Sequence, residues 1–351
     1  MSYRRPHNIL PYLILLFFIL TINCHEKAVT PKQDDLYSNY TKAQLDSLTL
    51  ASLTKVADYP LYAMTYYGDY GFSNHIKPGN KSFASVPKMV EFDEGSCGCT
   101  CFAAMGNKNA TLLGRNFDWY DHIPLLLFTY PPGGFASVSM VDLDYFGFNR
   151  NNLPNNTQNK RRLLDTPWLP FDGMNELGVA IGMMAVPHAE SPSDPGKKTI
   201  GEIEVIRLVL DYATSAEHAI ELIKQFNVRM ENPPIHYLIA DRSGKSAIIE
   251  FVDGKMIVMK NVDPWQVSTN FIIHGSGAPE NVSCWRYNRA FSTLKNAKGK
   301  LSSASAMNLL QNVSQQNTIW SMVYQMNAGK LNVVVGRKFD KIKSFELKSN
   351  L

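Results

Sequence analysis

Three cysteines fall within five residues, at Cys97, Cys99 and Cys101. On a β-strand all three share one face, because successive side chains alternate. A structural metal needs a fourth ligand and a tetrahedral arrangement, which Cys-x-Cys-x-Cys along one strand does not supply. The eight histidines show no metal-ligand pairing either, so no metal and no cofactor is expected. A Cys97–Cys101 disulfide is awkward on a single strand. Sixteen residues beyond Cys99 stands Arg115-Asn116-Phe117-Asp118. Residues 101–105 and 111–119 flank the turn Gly106-Asn107-Lys108-Asn109, which predicts a hairpin. Such pairing carries Arg115 and Asp118 across from the start of the first strand, next to Cys99. A nearby cation stabilises a thiolate, and a carboxylate orients an amine or another proton carrier. The bland reading is a core thiol near an Arg-x-x-Asp ion pair; the chemical reading is a cysteine nucleophile.

These residues need a frame of strands. Apolar spacing predicts a short helix over residues 45–56 and an aromatic strand over 59–67. Residues 73–90 read as an exposed loop. Strand patterns follow at 124–130, 136–143 and 178–186, with 149–164 as a long polar loop. Helices are expected at 199–212 and 215–226. Four strands between 236 and 269, helices at 285–297 and 303–313, and strands at 320–326 and 331–335 complete the order. Hairpins throughout, with no repeat and no linker between residues 45 and 340, favour one α+β domain of antiparallel sheets with helices packed outside. Phe117, Trp119 and Tyr120 read either as core or as the lining of a pocket.

Cys99-Thr100 followed by Arg115-Asn116-x-Asp118 resembles the N-terminal-nucleophile (Ntn) amidases of the choloylglycine hydrolase type. That group includes bile-salt hydrolases and penicillin V acylases, with acid ceramidase and the penicillin acyltransferases as cousins. Further stretches agree in order: Asp172-Gly173-Met174-Asn175-Glu176-Leu177-Gly178-Val179; His236-Tyr237-Leu238-Ile239-Ala240-Asp241 with Gly244-Lys245-Ser246 and Glu250; Thr269-Asn270; and Trp285-Arg286-Tyr287-x-Arg289. The resemblance covers residues 97–335. It implies a four-layer αββα sandwich of two antiparallel sheets. It also implies that Cys99 is the nucleophile once it is the first residue of the mature chain, with its own α-amine as general base. By the same resemblance Asp118 holds the amine, and Arg115 and Arg286 supply positive potential around thiolate and oxyanion. Asn270 donates to the oxyanion, with a backbone N–H near Ala185 as second donor. Read without the resemblance, Asn270 is a turn residue after a strand, and Asn175 and Glu176 shape another turn. Bile-salt hydrolases carry an Asn where Ala185 aligns, and they lack so long a segment ahead of the cysteine. The long pre-segment is more like acid ceramidase and the acyltransferases, and it predicts self-cleavage between Gly98 and Cys99.

The chain starts with Arg4 and Arg5, then an apolar run over residues 9–22 that is too short to span a bilayer as a helix. This reads as an export signal over 1–24. Cys24 resembles a lipoprotein cysteine, so two outcomes stay open: a lipid anchor at Cys24, or plain cleavage nearby. Residues 25–98 are a pre-segment or small subunit, and 99–351 the catalytic domain. The expected location is the periplasm, the outer surface or the medium. A net charge of 35 − 31 = +4 over 351 residues excludes a polyelectrolyte partner such as nucleic acid. The expected partner is a small N-acyl amide: a bile salt, a phenoxyacyl penicillin, an N-acyl homoserine lactone or an N-acyl lipid. A membrane surface enters only if Cys24 is lipidated, and a homo-oligomer is compatible. Acyl transfer by the same acyl-enzyme is the alternative activity; a surface lipoprotein that keeps the fold for binding is the non-catalytic one. Six Asn-x-Ser/Thr sites, at Asn39, Asn80, Asn109, Asn155, Asn281 and Asn312, matter only in a eukaryotic secretory pathway.

Overall fold

The computed structural model describes residues 37–77, 98–119, 122–154, 157–231, 233–277 and 282–349. The expected signal with Cys24, the chain to residue 36, most of the loop at 73–90, Cys97, Tyr120 and the sites at Asn80, Asn155 and Asn281 lie outside the described residues. In chain order the elements are α1 (Lys42–Ala51), β1 (Thr54–Ala57), β2 (Leu61–Tyr67), α2 (Phe72–His75), β3 (Gly98–Ala104), β4 (Leu112–Asp118), β5 (Pro124–Tyr130), β6 (Ser137–Asp142), α3 (Thr157–Lys160), β7 (Pro170–Asn175) and β8 (Val179–Ala185). Then come β9 (Thr199–Gly201), α4 (Glu202–Tyr212), α5 (Ala216–Ile223), β10 (Asn227–Arg229), β11 (Ile235–Asp241), β12 (Ser246–Val252), β13 (Lys255–Lys260) and β14 (Trp265–Ser268). The last are α6 (Trp285–Ala297), α7 (Ser303–Asn312), β15 (Thr318–Gln325), β16 (Lys330–Val335) and β17 (Lys343–Glu346).

The strands form a nine-stranded sheet, β1-β2-β5-β6-β7-β8-β11-β12-β13, and a six-stranded sheet, β14-β3-β4-β15-β16-β17. Every pairing in the two is antiparallel except β2 with β5. Alternation along β3 and β4 shows how the layers stack. Cys99, Cys101, Ala103, Leu113 and Phe117 pack into the core between the sheets. Phe102, Ala104 and Leu112 point the other way, into a second core with Tyr287, Ala290 and Leu294 of α6 and Met307 and Leu310 of α7. On the far side α4 packs on β7 and β8, and α5 on β11. The order is helix, sheet, sheet, helix: the αββα sandwich that was expected. Strands of a sheet covered on both faces must be apolar on both faces, and β3, β4, β8 and β11 are buried at every position.

Local chemistry sets several boundaries. Ser302 caps α7 by accepting the Ser305 N–H at 3.1 Å, and Ser215 caps α5 through His218 N–H at 3.1 Å. The helix expected from residue 199 begins at Glu202, because residues 199–201 pair with β10 and Glu204 accepts the Gly201 N–H at 2.9 Å. The helix expected to reach 56 ends at Ala51, where Ser52 Oγ donates to Thr49 O and accepts the Thr65 N–H, so β1 can fold back on β2. The polar stretch expected as a loop over 149–164 includes the start of a 3₁₀ segment, Arg161–Trp168, which buries Leu163, Thr166 and Pro167. No helix among the described residues is long and apolar enough to cross a membrane.

The described part of the pre-segment is built into the sandwich. β2 lies between β1 and β5 in the large sheet. Behind it, Tyr70 donates its hydroxyl to the Asp211 carboxylate at 2.7 Å, and Arg207 Nη1 holds the same carboxylate at 3.0 Å. Arg207 also reaches Thr129, Ser137 and the Pro167 carbonyl, so its buried charge is fully engaged. His75 meets Glu204 at 3.1 Å. Tyr70→Phe removes a buried bond to a charged acceptor and is expected to lower unfolding free energy by about 1.5–3 kcal/mol, read as a drop in the urea midpoint at unchanged slope.

Candidate active site

Cys99 is the second residue of β3, buried at the end of an inner strand. Its register partner on β4 is Phe117, and Arg115 stands opposite Cys101. The Arg115 side chain runs back along this face, so that Nη2 lies 3.7 Å from Cys99 Sγ. Space for it comes from Gly182 on β8: a Cβ there would fall 2.9 Å from Arg115 Cδ and 3.1 Å from Cys101 Sγ. Nε and Nη2 donate to the Met183 carbonyl at 3.1 and 2.7 Å. Nη1 donates to Asp172, whose carboxylate also accepts from Trp320 Nε1 at 3.0 Å and from the Tyr324 hydroxyl. Burial works against the guanidinium charge, but Asp172 outweighs it and keeps Arg115 protonated. Burial pushes the Cys99 thiol up, and Arg115 pulls it only part of the way back.

Asp118 is not the partner of Arg115. Three residues along a strand it faces the opposite side, toward the α6–α7 layer, where it pairs in register with Gly98. Thr318 Oγ1 and Gln315 Nε2 donate to its two oxygens at 2.5 and 2.8 Å, and Arg286 Nη1 approaches to 3.9 Å. Burial still holds this carboxyl above the usual carboxylate range. Gln315 lies so close over the chain that a Cβ on Gly98 would fall 2.0 Å from its Nε2. A side chain at 98 would have to push the Gln315 amide off Asp118.

Arg286, in the first turn of α6, donates to the Cys99 carbonyl, to Thr100 Oγ1 at 3.2 Å and to Asn270 Oδ1 at 2.9 Å. Arg289, on the same helix, is exposed. Asn270 follows β14. Its Oδ1 accepts the Cys99 N–H at 2.6 Å, and its Nδ2 donates to the Ala185 carbonyl at 2.8 Å. Val186 N–H donates to Pro234 O across the β8–β11 ladder, so the amide of Ala185, one residue earlier, faces away from β11. The chain thus brings Gly98, Cys99, Arg115, Asp118, Ala185, Asn270 and Arg286 into one bonded cluster. Cys24 lies outside the described residues.

Sequence reasoning did not find Asp172, Gln315 or Thr318. Asp172 was visible as the start of a motif but carried no role, and nothing marks Gln315 or Thr318 in the chain. Beside Cys99 and Arg115 a tight cavity of about 10 Å³ is lined by Phe117, Trp119, Tyr145, Phe171, Met183 and Ile235, among others. A larger cleft with Lys55, Lys338, Lys341 and Lys343 shares no residue with it. Among the described residues no group of three or more His, Cys, Asp or Glu is placed to hold a metal ion.

Residues 99–286 match the linear amide C–N hydrolases of the choloylglycine hydrolase family, a match that opens on Cys99. Over 212 residues the chain is 25% identical to a penicillin V acylase of Pectobacterium atrosepticum, covering 54% of each, so it spans about half the length of that curated relative. Among solved structures it is similar to a mutant conjugated bile acid hydrolase from Clostridium perfringens, with TM-score 0.51 and 18% identity over 72% of this chain and 96% of that one. It is also similar to a penicillin V acylase from Agrobacterium tumefaciens, with TM-score 0.50 and 19% identity over 72% and 92%. At these identities the structural likeness concerns the fold.

Asp172→Asn leaves the Arg115 charge buried without its counter-ion and is expected to cost about 3–5 kcal/mol in urea unfolding. Asp118 tests the opposite sign. A carboxyl raised in the folded state contributes stability at low pH that is lost as pH rises through its folded pKa. The stability difference between Asp118→Asn and the parent should therefore move in the variant's favour from about pH 3 to about pH 7; a flat difference would contradict the raised carboxyl.

Proposed function

The chain belongs to the choloylglycine hydrolase family of linear amide C–N hydrolases, and on that premise we propose that it hydrolyses non-peptide amide bonds of N-acyl compounds with Cys99 as nucleophile. The observation that carries this reading is the capture of Cys99 on every side. Arg115 stands at Sγ, Asn270 at the backbone nitrogen, and Arg286 at the carbonyl.

Maturation comes first. Cys99 Sγ attacks the Gly98 carbonyl carbon; the Gly98–Cys99 C–N bond breaks, the nitrogen takes a proton, and a thioester remains. Water hydrolyses it to a Gly98 carboxylate and a free thiol. The α-amine so released has a pKa near neutrality, which suits a general base. Asn270 Oδ1 already holds its nitrogen, and Asp118 supplies the nearby carboxylate. In turnover the thiol proton passes to this amine and the thiolate attacks the substrate carbonyl. One hydrogen of Asn270 Nδ2 bonds Ala185 O; the other is assigned to the oxyanion, with the outward-facing Ala185 N–H as second donor. The ammonium protonates the leaving amine, and the amine then deprotonates the water that clears the acyl-enzyme. In this reading an apolar acyl group lies against Phe117, Trp119, Tyr145 and Phe171, which line the tight cavity beside Cys99 and must part to admit it.

Residues 25–98 stay attached as a small subunit in this reading, because β2 and the Tyr70–Asp211 bond are integral to the sandwich. The basic and then apolar first 24 residues support an export signal, and with it a mature protein outside the cytoplasm in this reading.

Intact mass and N-terminal sequencing of the parent beside Cys99→Ala test the proposal. A fragment of 351 − 98 = 253 residues starting at Cys99 is expected in the parent and absent from the variant. The matured protein should then release amine from one of penicillin V, a glycine-conjugated bile acid, an N-acyl homoserine lactone or an N-acyl lipid. An uncut chain in both proteins would leave Cys99 without an α-amine and overturn the mechanism.

A further inference from the structure

Asn270 sits in a turn, yet it must hold three partners at once: Cys99 on one sheet, Ala185 on the other, and Arg286 on a helix. β14 ends at Ser268, so no sheet ladder fixes the next residues. Two buried side chains do so instead. His236 on β11 puts Nε2 at 2.7 Å from the Thr269 carbonyl and 3.0 Å from Ser268 Oγ, on the near side of Asn270. Glu250 on β12 accepts the N–H groups of Ile273 at 2.8 Å and His274 at 2.9 Å, on the far side. The two pins are one unit, because His236 Nδ1 meets Glu250 Oε1 at 2.9 Å.

We propose that His236 and Glu250 are positioning residues that hold the turn 268–274, and so place the Asn270 amide for the oxyanion. The inference rests on the function proposed above. Neither residue bonds Cys99, Arg115, Asp118 or Arg286 in the described structure, so both act through Asn270. Both are wholly buried, and both belong to the nine-stranded sheet that carries Ala185. The turn they grip leaves the six-stranded sheet that carries Cys99. The pair therefore references the donor on one sheet to the nucleophile on the other. Burial would raise the Glu250 carboxyl, but His236 and the two amides outweigh it and hold the group below the usual range. A carboxylate that stays charged keeps all three of its donors.

The chosen substitutions separate positioning from mere stability. His236→Asn keeps a polar atom near Glu250 but is too short to bond Thr269 O. His236→Gln reaches the Nε2 position and restores that bond. Each variant is first checked for cleavage at Cys99 and for its thermal midpoint. It is then assayed with whichever of penicillin V, a glycine-conjugated bile acid, an N-acyl homoserine lactone or an N-acyl lipid the parent turns over. The expected result for His236→Asn is a kcat lower by about 10²-fold, the scale of a displaced oxyanion donor, at a KM within about threefold of the parent's. His236→Gln should recover most of the loss, and Glu250→Gln should resemble His236→Asn. A folded, cleaved His236→Asn with parental kcat overturns the inference. So does a loss that appears in KM rather than kcat, or unfolding of both His236→Asn and Glu250→Gln, which would assign the pair to stability. A parent that turns over none of the four substrates fails the function itself, a result that cannot be confused with the others.

Discussion

A guanidinium lies between two β-sheets where water does not reach, and the site is arranged around it. Removing such a charge from water costs several kcal/mol, which is recovered only when every donor is answered in good geometry. Arg115 is answered by Asp172 and by the Met183 carbonyl, from neighbouring strands of the opposite sheet. Asp172 is in turn shared with Trp320 and Tyr324 on β15, the strand next to β4. This polar knot joins the two sheets within the core they share. Planar, multidentate Arg suits that work; Lys, with one charged nitrogen, would leave the Met183 carbonyl or Asp172 unanswered.

The same knot leaves one guanidinium nitrogen facing Cys99 Sγ. The groups that deal with the backbone of Cys99 lie on the other side of β3. There Arg286 takes the carbonyl, and Asp118 stands by Gly98 with Gln315 and Thr318. A strand has two faces, and the chain uses both: one for the sulfur, one for the peptide bond and the amine that would replace it. Asn270 closes the end between them. This division explains why an arginine and an aspartate three residues apart serve one cysteine without pairing to each other.

Much of the architecture was legible. The hairpin of β3 and β4 follows from two strand patterns around Gly106-Asn107-Lys108-Asn109, while its register, with Gly98 opposite Asp118, is seen only in the pairing. The helices expected at 215–226 and 303–313 are found as α5 and α7, capped by Ser215 and Ser302. Legibility failed where long-range pairing overrode local preference. Residues 199–201 continue a helical pattern but find a partner in residues 227–229. β17 is a short, mostly exposed edge strand with no apolar alternation, so only its pairing with β16 reveals it.

The chain by itself determined the residue types and their order: a glycine before a cysteine, Arg115 and Asp118 sixteen and nineteen positions on, then Asn270 and Arg286 far downstream. Order suffices to mark the family of linear amide C–N hydrolases, and those residue types suit the thiol chemistry proposed for it. Partnership was decided only in three dimensions. That Arg115 pairs with Asp172, that Gln315 and Thr318 hold Asp118, and that His236 and Glu250 grip the turn of Asn270 all join residues from 14 to 200 positions apart. Local periodicity carries no information over such separations. The sheet register and the burial that forces each polar atom to find a partner do.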